Sequence, residues 1–166
     1  MHIFTFFKSK RYLCVIFYII SGFIFLALIP YIGSTFQPKL VLGIFILTWT
    51  NDTFAYLIGK KFGKRKLKEK ISPKKTIEGF IGGLLAALIG GVIIFNTTLL
   101  YSPPFWLLLA LLVSVLGTTG DLIQSKFKRL AGVKDSGRIM PGHGGVYDRL
   151  DSIIFASPFI YLFIIF

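Results

Sequence analysis

Acidic residues are scarce in this sequence: seven among 166, against nineteen lysines and arginines. Cysteine is scarcer still. The one example, Cys14, sits inside an apolar run, which excludes an internal disulfide. No Cys or His stands at metal-ligand spacing from it, so we read it as a small lipid-facing or packed side chain. Charge of either sign is thin, 16% of residues against 54% hydrophobic, and mean hydropathy is +0.75. That shortage excludes an ordinary soluble globular domain. Amphipathic spacing is also missing, since the apolar residues come in long blocks that a bilayer buries better than a core does.

Five blocks are present, at residues 12–32, 40–58, 77–95, 105–123 and 150–166. The first four approach or exceed the ~20 residues that cross ~30 Å of hydrocarbon as a helix. The last falls short unless its helix begins near Val146 or the chain is cut short. Lys8, Lys10 and Arg11 before the first block resemble the start of a signal peptide. The run that follows is too long and lacks a small-x-small cleavage site, which favours a retained helix. The expected fold is an all-α integral membrane protein, one polytopic domain over 1–166, with about five transmembrane helices.

The basic residues choose its orientation. The amino-terminal arm has Lys8, Lys10 and Arg11, and the first loop has Lys39 alone. The second carries Lys60, Lys61, Lys64, Arg65, Lys66, Lys68, Lys70, Lys74 and Lys75. The third has none, and the fourth has Lys126, Lys128, Arg129, Lys134, Arg138 and Arg149. Five spans put all but Lys39 on one side, so the amino terminus and the two basic loops are expected in the cytoplasm at the cell's inner membrane. A net charge of +12 would suggest nucleic acid in a soluble protein. Here every basic loop abuts a bilayer, and no nucleic-acid partner is expected.

Glu69 reads as a solvated loop charge. The other acids, Asp52, Glu78, Asp121, Asp135, Asp148 and Asp151, lie in or beside the cytoplasmic ends of the blocks. An acid inside a transmembrane segment is costly and marks a functional site unless it is paired as a structural ion. Carboxylates from several helices beside basic loops suit a hard, oxygen-seeking cation such as Mg2+, with phosphates completing its shell. Asp121 and Ser125 share a helix face, with Lys128 and Arg129 about one turn on, and Asp148 and Asp151 would converge likewise. Between them Gly142-His143-Gly144-Gly145 can bring backbone N–H groups close to a phosphate, flanked by Lys134 and Arg138. His143 could be a ligand, a general base or a loop residue.

The second basic loop ends Ser72-Pro73-Lys74-Lys75-Thr76, directly before Glu78. Lys74 and Lys75 supply phosphate-seeking charge, and Ser72 or Thr76 can cap the next helix. Residues 60–70 fit a solvated loop drawn to anionic headgroups. Gly79, Gly83, Ala87 and Gly91 strip one helix face of bulk, which favours close helix packing over room for substrate.

Three segments carry a family resemblance. The longest is Ser125-Lys126-Phe127-Lys128-Arg129, Lys134-Asp135-Ser136-Gly137 and Pro141-Gly142-His143-Gly144-Gly145-Val146-Tyr147-Asp148-Arg149-Leu150-Asp151. The others are Trp49-Thr50-Asn51-Asp52-Thr53-Phe54-Ala55-Tyr56 and Ile71-Ser72-Pro73-Lys74-Lys75-Thr76-Ile77-Glu78-Gly79. Together they resemble the phosphatidate cytidylyltransferase (CDP-diacylglycerol synthase) family over about residues 40–151.

The resemblance implies a membrane enzyme that joins CTP to phosphatidic acid, giving CDP-diacylglycerol and pyrophosphate. It implies a homodimer, Mg2+, and K+ as a second cation. Carried onto this chain, it makes Asp121, Asp148 and Asp151 the metal ligands and, with Lys128 and Arg129, the catalytic set. Asp52, Ser72, Lys74, Lys75, Glu78, Ser125, Lys134, Asp135, His143, Gly144, Gly145 and Arg149 would bind substrate. Family members carry several more amino-terminal helices, so the sequence is expected to lack part of the full family fold. Two alternatives are a CTP-dependent transferase acting on another lipid phosphate and an inactive truncated membrane module.

Overall fold

The computed structural model describes residues 17–33, 35–69, 71–130, 132 and 147–166, with only the backbone at 147–149. Five helices and one small hairpin make up this part. Helix α1 (Phe17–Tyr31) closes in a 3-10 turn at Pro30. Helix α2 (Pro38–Phe62) starts at a proline, whose missing N–H costs nothing in a first turn, and ends on Lys60, Lys61 and Gly63. Strands β1 (Lys66–Lys68) and β2 (Ser72–Thr76) pair antiparallel before α3 (Ile77–Thr98). Helix α4 (Pro103–Leu130) again opens on proline, and α5 (Tyr147–Ile165) completes the order.

Three helices, α2, α3 and α4, are long and apolar enough to cross a membrane. Each covers its expected block and extends beyond it. The described apolar stretches of α1 and α5 are shorter, Phe17–Tyr31 and Leu150–Ile165. Helix α5 begins at Tyr147, one residue after Val146. The residues before Phe17, with the arm lysines, lie outside the described residues.

The all-helical expectation needs one correction: the second basic loop folds in part as a hairpin. Lys66-Leu67-Lys68 alternates exposed, half-buried, exposed, the period-2 pattern of a strand with one wet face. Lys66 pairs with Thr76 and Lys68 with Ser72, with an irregularity between them. Thr76 leaves the strand as the cap of α3, its Oγ1 accepting from the Gly79 N–H at 3.1 Å.

Helices α2, α3, α4 and α5 pack in sequence order, and α1 lies against α5. Ser157 donates to the Gly22 carbonyl at 2.7 Å, and a Cβ at Gly22 would stand 2.6 Å from the Ile154 oxygen. The bare face of α3 serves close packing. A Cβ at Gly79 would come within 2.6 Å of the Ala55 carbonyl oxygen, and one at Gly83 within 2.6 Å of the Asn51 oxygen. Ala87 is fully buried, and Gly91 sits against the Trp106 carbonyl. No space is left there for substrate. Gly83→Ala should therefore destabilise the bundle by about 1–3 kcal/mol, because neither backbone can yield to the methyl. The unfolding midpoint in detergent measures this.

At the end of the bundle remote from the hairpin, aromatic rings close the core. Trp106 is fully buried and donates its indole N–H to the Leu100 carbonyl at 2.6 Å. Tyr101 stacks on Phe105 at 4.2 Å and donates to Gln37 Oε1 at 2.6 Å. These ties hold a tight α3–α4 turn in which Leu99 and Tyr101 both take left-handed backbone angles.

Candidate active site

A cavity of about 510 Å3 opens at the hairpin end of the bundle. Helix α2 lines it with Trp49, Asn51, Asp52, Thr53, Ala55 and Tyr56. The hairpin contributes Leu67, Lys74, Lys75 and Thr76, and α3 contributes Phe80. Thr118, Asp121 and Lys128 come from α4, and Asp151 and Ser152 from α5. Asp52 stands ten residues before the end of α2 and Asp121 nine before the end of α4, about 15 Å below the helix ends. The cavity thus reaches from the hairpin down to the depth where apolar helix surface begins.

Local packing brings these side chains together. At Gly120 the helices α4 and α5 nearly touch, since a Cβ there would lie 3.2 Å from the Asp151 carbonyl oxygen. That approach puts the neighbouring Asp121 on the same cavity as Asp151. Asp121 is held on two sides. Its Oδ2 pairs with the Lys75 ammonium at 2.5 Å, and its Oδ1 accepts from Ser125 Oγ at 3.2 Å. The Ser125 bond is the one-turn contact that the i, i+4 spacing predicts. Asp151 is nearly buried, its Oδ1 accepting from the Ser152 N–H at 2.8 Å. On α2, Asn51 Nδ2 donates to Asp52 Oδ1 at 3.2 Å.

Of the expected site residues, Asp52, Lys74, Lys75, Asp121, Lys128 and Asp151 meet in this cavity, with Ser125 bonded to one of them. Ser72, Glu78 and Arg129 are not among the residues lining it. Glu78 instead braces the chain beside the cavity, its carboxylate accepting the backbone N–H groups of Lys64 and Arg65 at 3.1–3.2 Å. With the Ile77 N–H bonded to the Arg65 carbonyl at 2.9 Å, it pins the base of the hairpin that carries Lys74 and Lys75. Lys134, Asp135, His143, Gly144 and Gly145 lie outside the described residues, as do the side chains of Asp148 and Arg149.

Sequence reasoning passed over Asn51, Thr118 and Ser152 as site residues, and Ser114 beneath them. Each is a neutral polar residue inside an apolar block, a signal that only a search for uncharged polar groups within the spans would have raised.

The donors are carboxylate oxygens, which suit a hard cation, and phosphate-seeking ammonium groups stand beside them. Among the described residues no three acids or histidines form a ready-made metal cluster. The set fits a cation that takes one or two carboxylates and draws its other ligands from phosphate and water.

A helical membrane fold with acids and lysines converging on one open cavity is the class defined so far. The particular family follows from comparison: the cytidylyltransferase family model matches residues 4–166, and the chain belongs to that family. It is 50% identical over 131 residues to the phosphatidate cytidylyltransferase of Staphylococcus aureus (strain COL), covering 75% of this chain and 48% of that protein. The enzyme of the same name from Staphylococcus saprophyticus is 41% identical over 169 residues, covering 98% of this chain and 61% of its own. That of Bacillus subtilis (strain 168) is 50% identical over 117 residues, 70% of this chain and 44% of its own. The chain thus spans about half the length of the curated relatives it matches.

Proposed function

We propose that this chain carries the catalytic part of a phosphatidate cytidylyltransferase, transferring CMP from CTP to phosphatidic acid with release of pyrophosphate. The observation that carries the reading is the convergence of Asp52, Asp121 and Asp151 with Lys74, Lys75 and Lys128 on one cavity at the hairpin end of the bundle. The names of its relatives supply the substrates.

In this reading a phosphatidate phosphate oxygen attacks the α-phosphorus of CTP. The new P–O bond forms as the bond to the β-phosphate oxygen breaks, and pyrophosphate leaves with that electron pair. The phosphate monoester is already ionised near neutral pH, so no strong base is required. Lys74, Lys75 and Lys128 hold two mutually repelling anions and offset the charge that grows on the leaving group. Asp121, Asp151 and Asp148 would hold Mg2+, which when bound polarises phosphate oxygens, and K+ is a candidate second cation. Ser125 steadies Asp121. Ser72, Glu78, Arg129, Lys134, Asp135, His143, Gly144, Gly145 and Arg149 complete the proposed set, Glu78 acting through the hairpin. The five-span topology, the cytoplasmic orientation from the charge asymmetry, and a homodimer belong to the same proposal.

The test is the purified chain in phosphatidate-containing proteoliposomes with labelled CTP and Mg2+. Label should enter the lipid phase with one pyrophosphate released per CDP-lipid formed. Absence of both, from protein that still melts cooperatively, would sink the reading, and label transferred only to a different lipid phosphate would change the acceptor.

A further inference from the structure

A buried polar contact beneath the cavity carries a role that neither charge nor motif announces. Asn51 is 2% exposed and Ser114 is wholly buried, and they meet where α2 crosses α4. Ser114 Oγ lies 2.6 Å from Asn51 Oδ1, while the other end of the same amide, Nδ2, lies 3.2 Å from Asp52 Oδ1. Gly83 of α3 presses on Asn51 from behind, for a Cβ there would stand 2.9 Å from Oδ1.

The direction of this chain is fixed by chemistry. The Asn51 amide turns its NH2 toward Asp52, whose Oδ1 accepts from it. That leaves Oδ1, an acceptor, facing Ser114, whose hydroxyl must therefore donate. The Ser114 bond is wholly buried, so its loss leaves the amide oxygen unpaired, and an amide flipped end for end would set an oxygen against the carboxylate. We propose that Ser114 and Asn51 are positioning residues: Ser114 selects the sense of the Asn51 amide, which holds the Asp52 carboxylate aimed into the substrate cavity. This deepens the transferase reading and rests on it for its kinetic arm.

The experiment is a double-mutant cycle in proteoliposomes with CTP, Mg2+ and phosphatidate, with melting curves to confirm folding. Ser114→Ala should lower kcat roughly tenfold, as loss of an orienting partner does, and Ser114→Thr, which keeps the hydroxyl, should recover most of it. In an Asp52→Asn background Ser114→Ala should cost nothing further, because the carboxylate it orients is gone. An equal tenfold loss in both backgrounds, or no loss in either, overturns the proposal.

An arm independent of turnover reads the Asn51 side-chain NH2 by 15N NMR. Ser114→Ala and Asp52→Asn should each shift that resonance. Such shifts without any turnover in the parent chain would fail the transferase reading and leave the hydrogen-bonded chain standing. No shift from either variant would overturn the chain itself.

Discussion

Asp121→Asn is expected to reduce CTP-dependent CDP-lipid synthesis by about three orders of magnitude, the ~4 kcal/mol that loss of a charge-stabilising ligand costs a phosphoryl-transfer transition state. The substitution changes almost nothing else. Asparagine keeps the shape, can still accept from Ser125 Oγ, and sits on the α4–α5 seam without adding bulk. What is lost is the negative charge that pairs with Lys75 and, in the proposed mechanism, helps hold the cation. Asp121 and Lys75 are each about 30% accessible, so the pair is partly screened and its loss should leave the melting midpoint nearly unchanged. Initial rates across a Mg2+ titration make the measurement. A variant that regains parental turnover at high Mg2+ would reduce Asp121 to an affinity residue, and one with unchanged turnover throughout would remove it from the site.

How much of this could be read beforehand varied with the kind of signal. The spans now seen as α2, α3 and α4 were plain because hydrocarbon demands uninterrupted apolar length. Asp52 and Asp121 stood out for the converse reason, since an acid in such a segment needs a purpose. Asp151 stood out as one of two acids three apart at the start of the last block, and all three line the cavity. The hairpin was hidden by its own lysines: the alternation of Lys66, Leu67 and Lys68 covers three residues, too few to outweigh the impression of a solvated basic loop. Glu78 shows a different limit. Sequence proximity put it with Lys74 and Lys75, but the chain reverses there, and the carboxylate meets the backbone of Lys64 and Arg65. Ser114 and Asn51, 63 residues apart, are joined by a helix crossing that no local pattern encodes.

The opposite-signed result comes from Lys75→Met. With its ammonium paired to Asp121, Lys75 neutralises the carboxylate that the proposed mechanism assigns to a divalent cation. In that mechanism the cation and Lys75 would compete for Asp121 until a phosphate gave the ammonium another partner. Removing the charge while keeping an unbranched side chain should have two effects. CTP should bind about 10- to 30-fold more weakly, the ~1.5–2 kcal/mol of a lost charge-assisted contact. A divalent cation offered without nucleotide should bind more tightly, because its competitor is gone. Calorimetry with CTP and with Mn2+ as a magnesium substitute reads both constants on one preparation. A lysine that served only to hold the hairpin over the cavity would weaken both when removed, which would exclude the exchange of partners. Lys75→Arg keeps the charge and should leave the cation constant near its parental value. The hairpin supplies the cationic partner that Asp121 holds in this structure, and Glu78 braces the base of that hairpin.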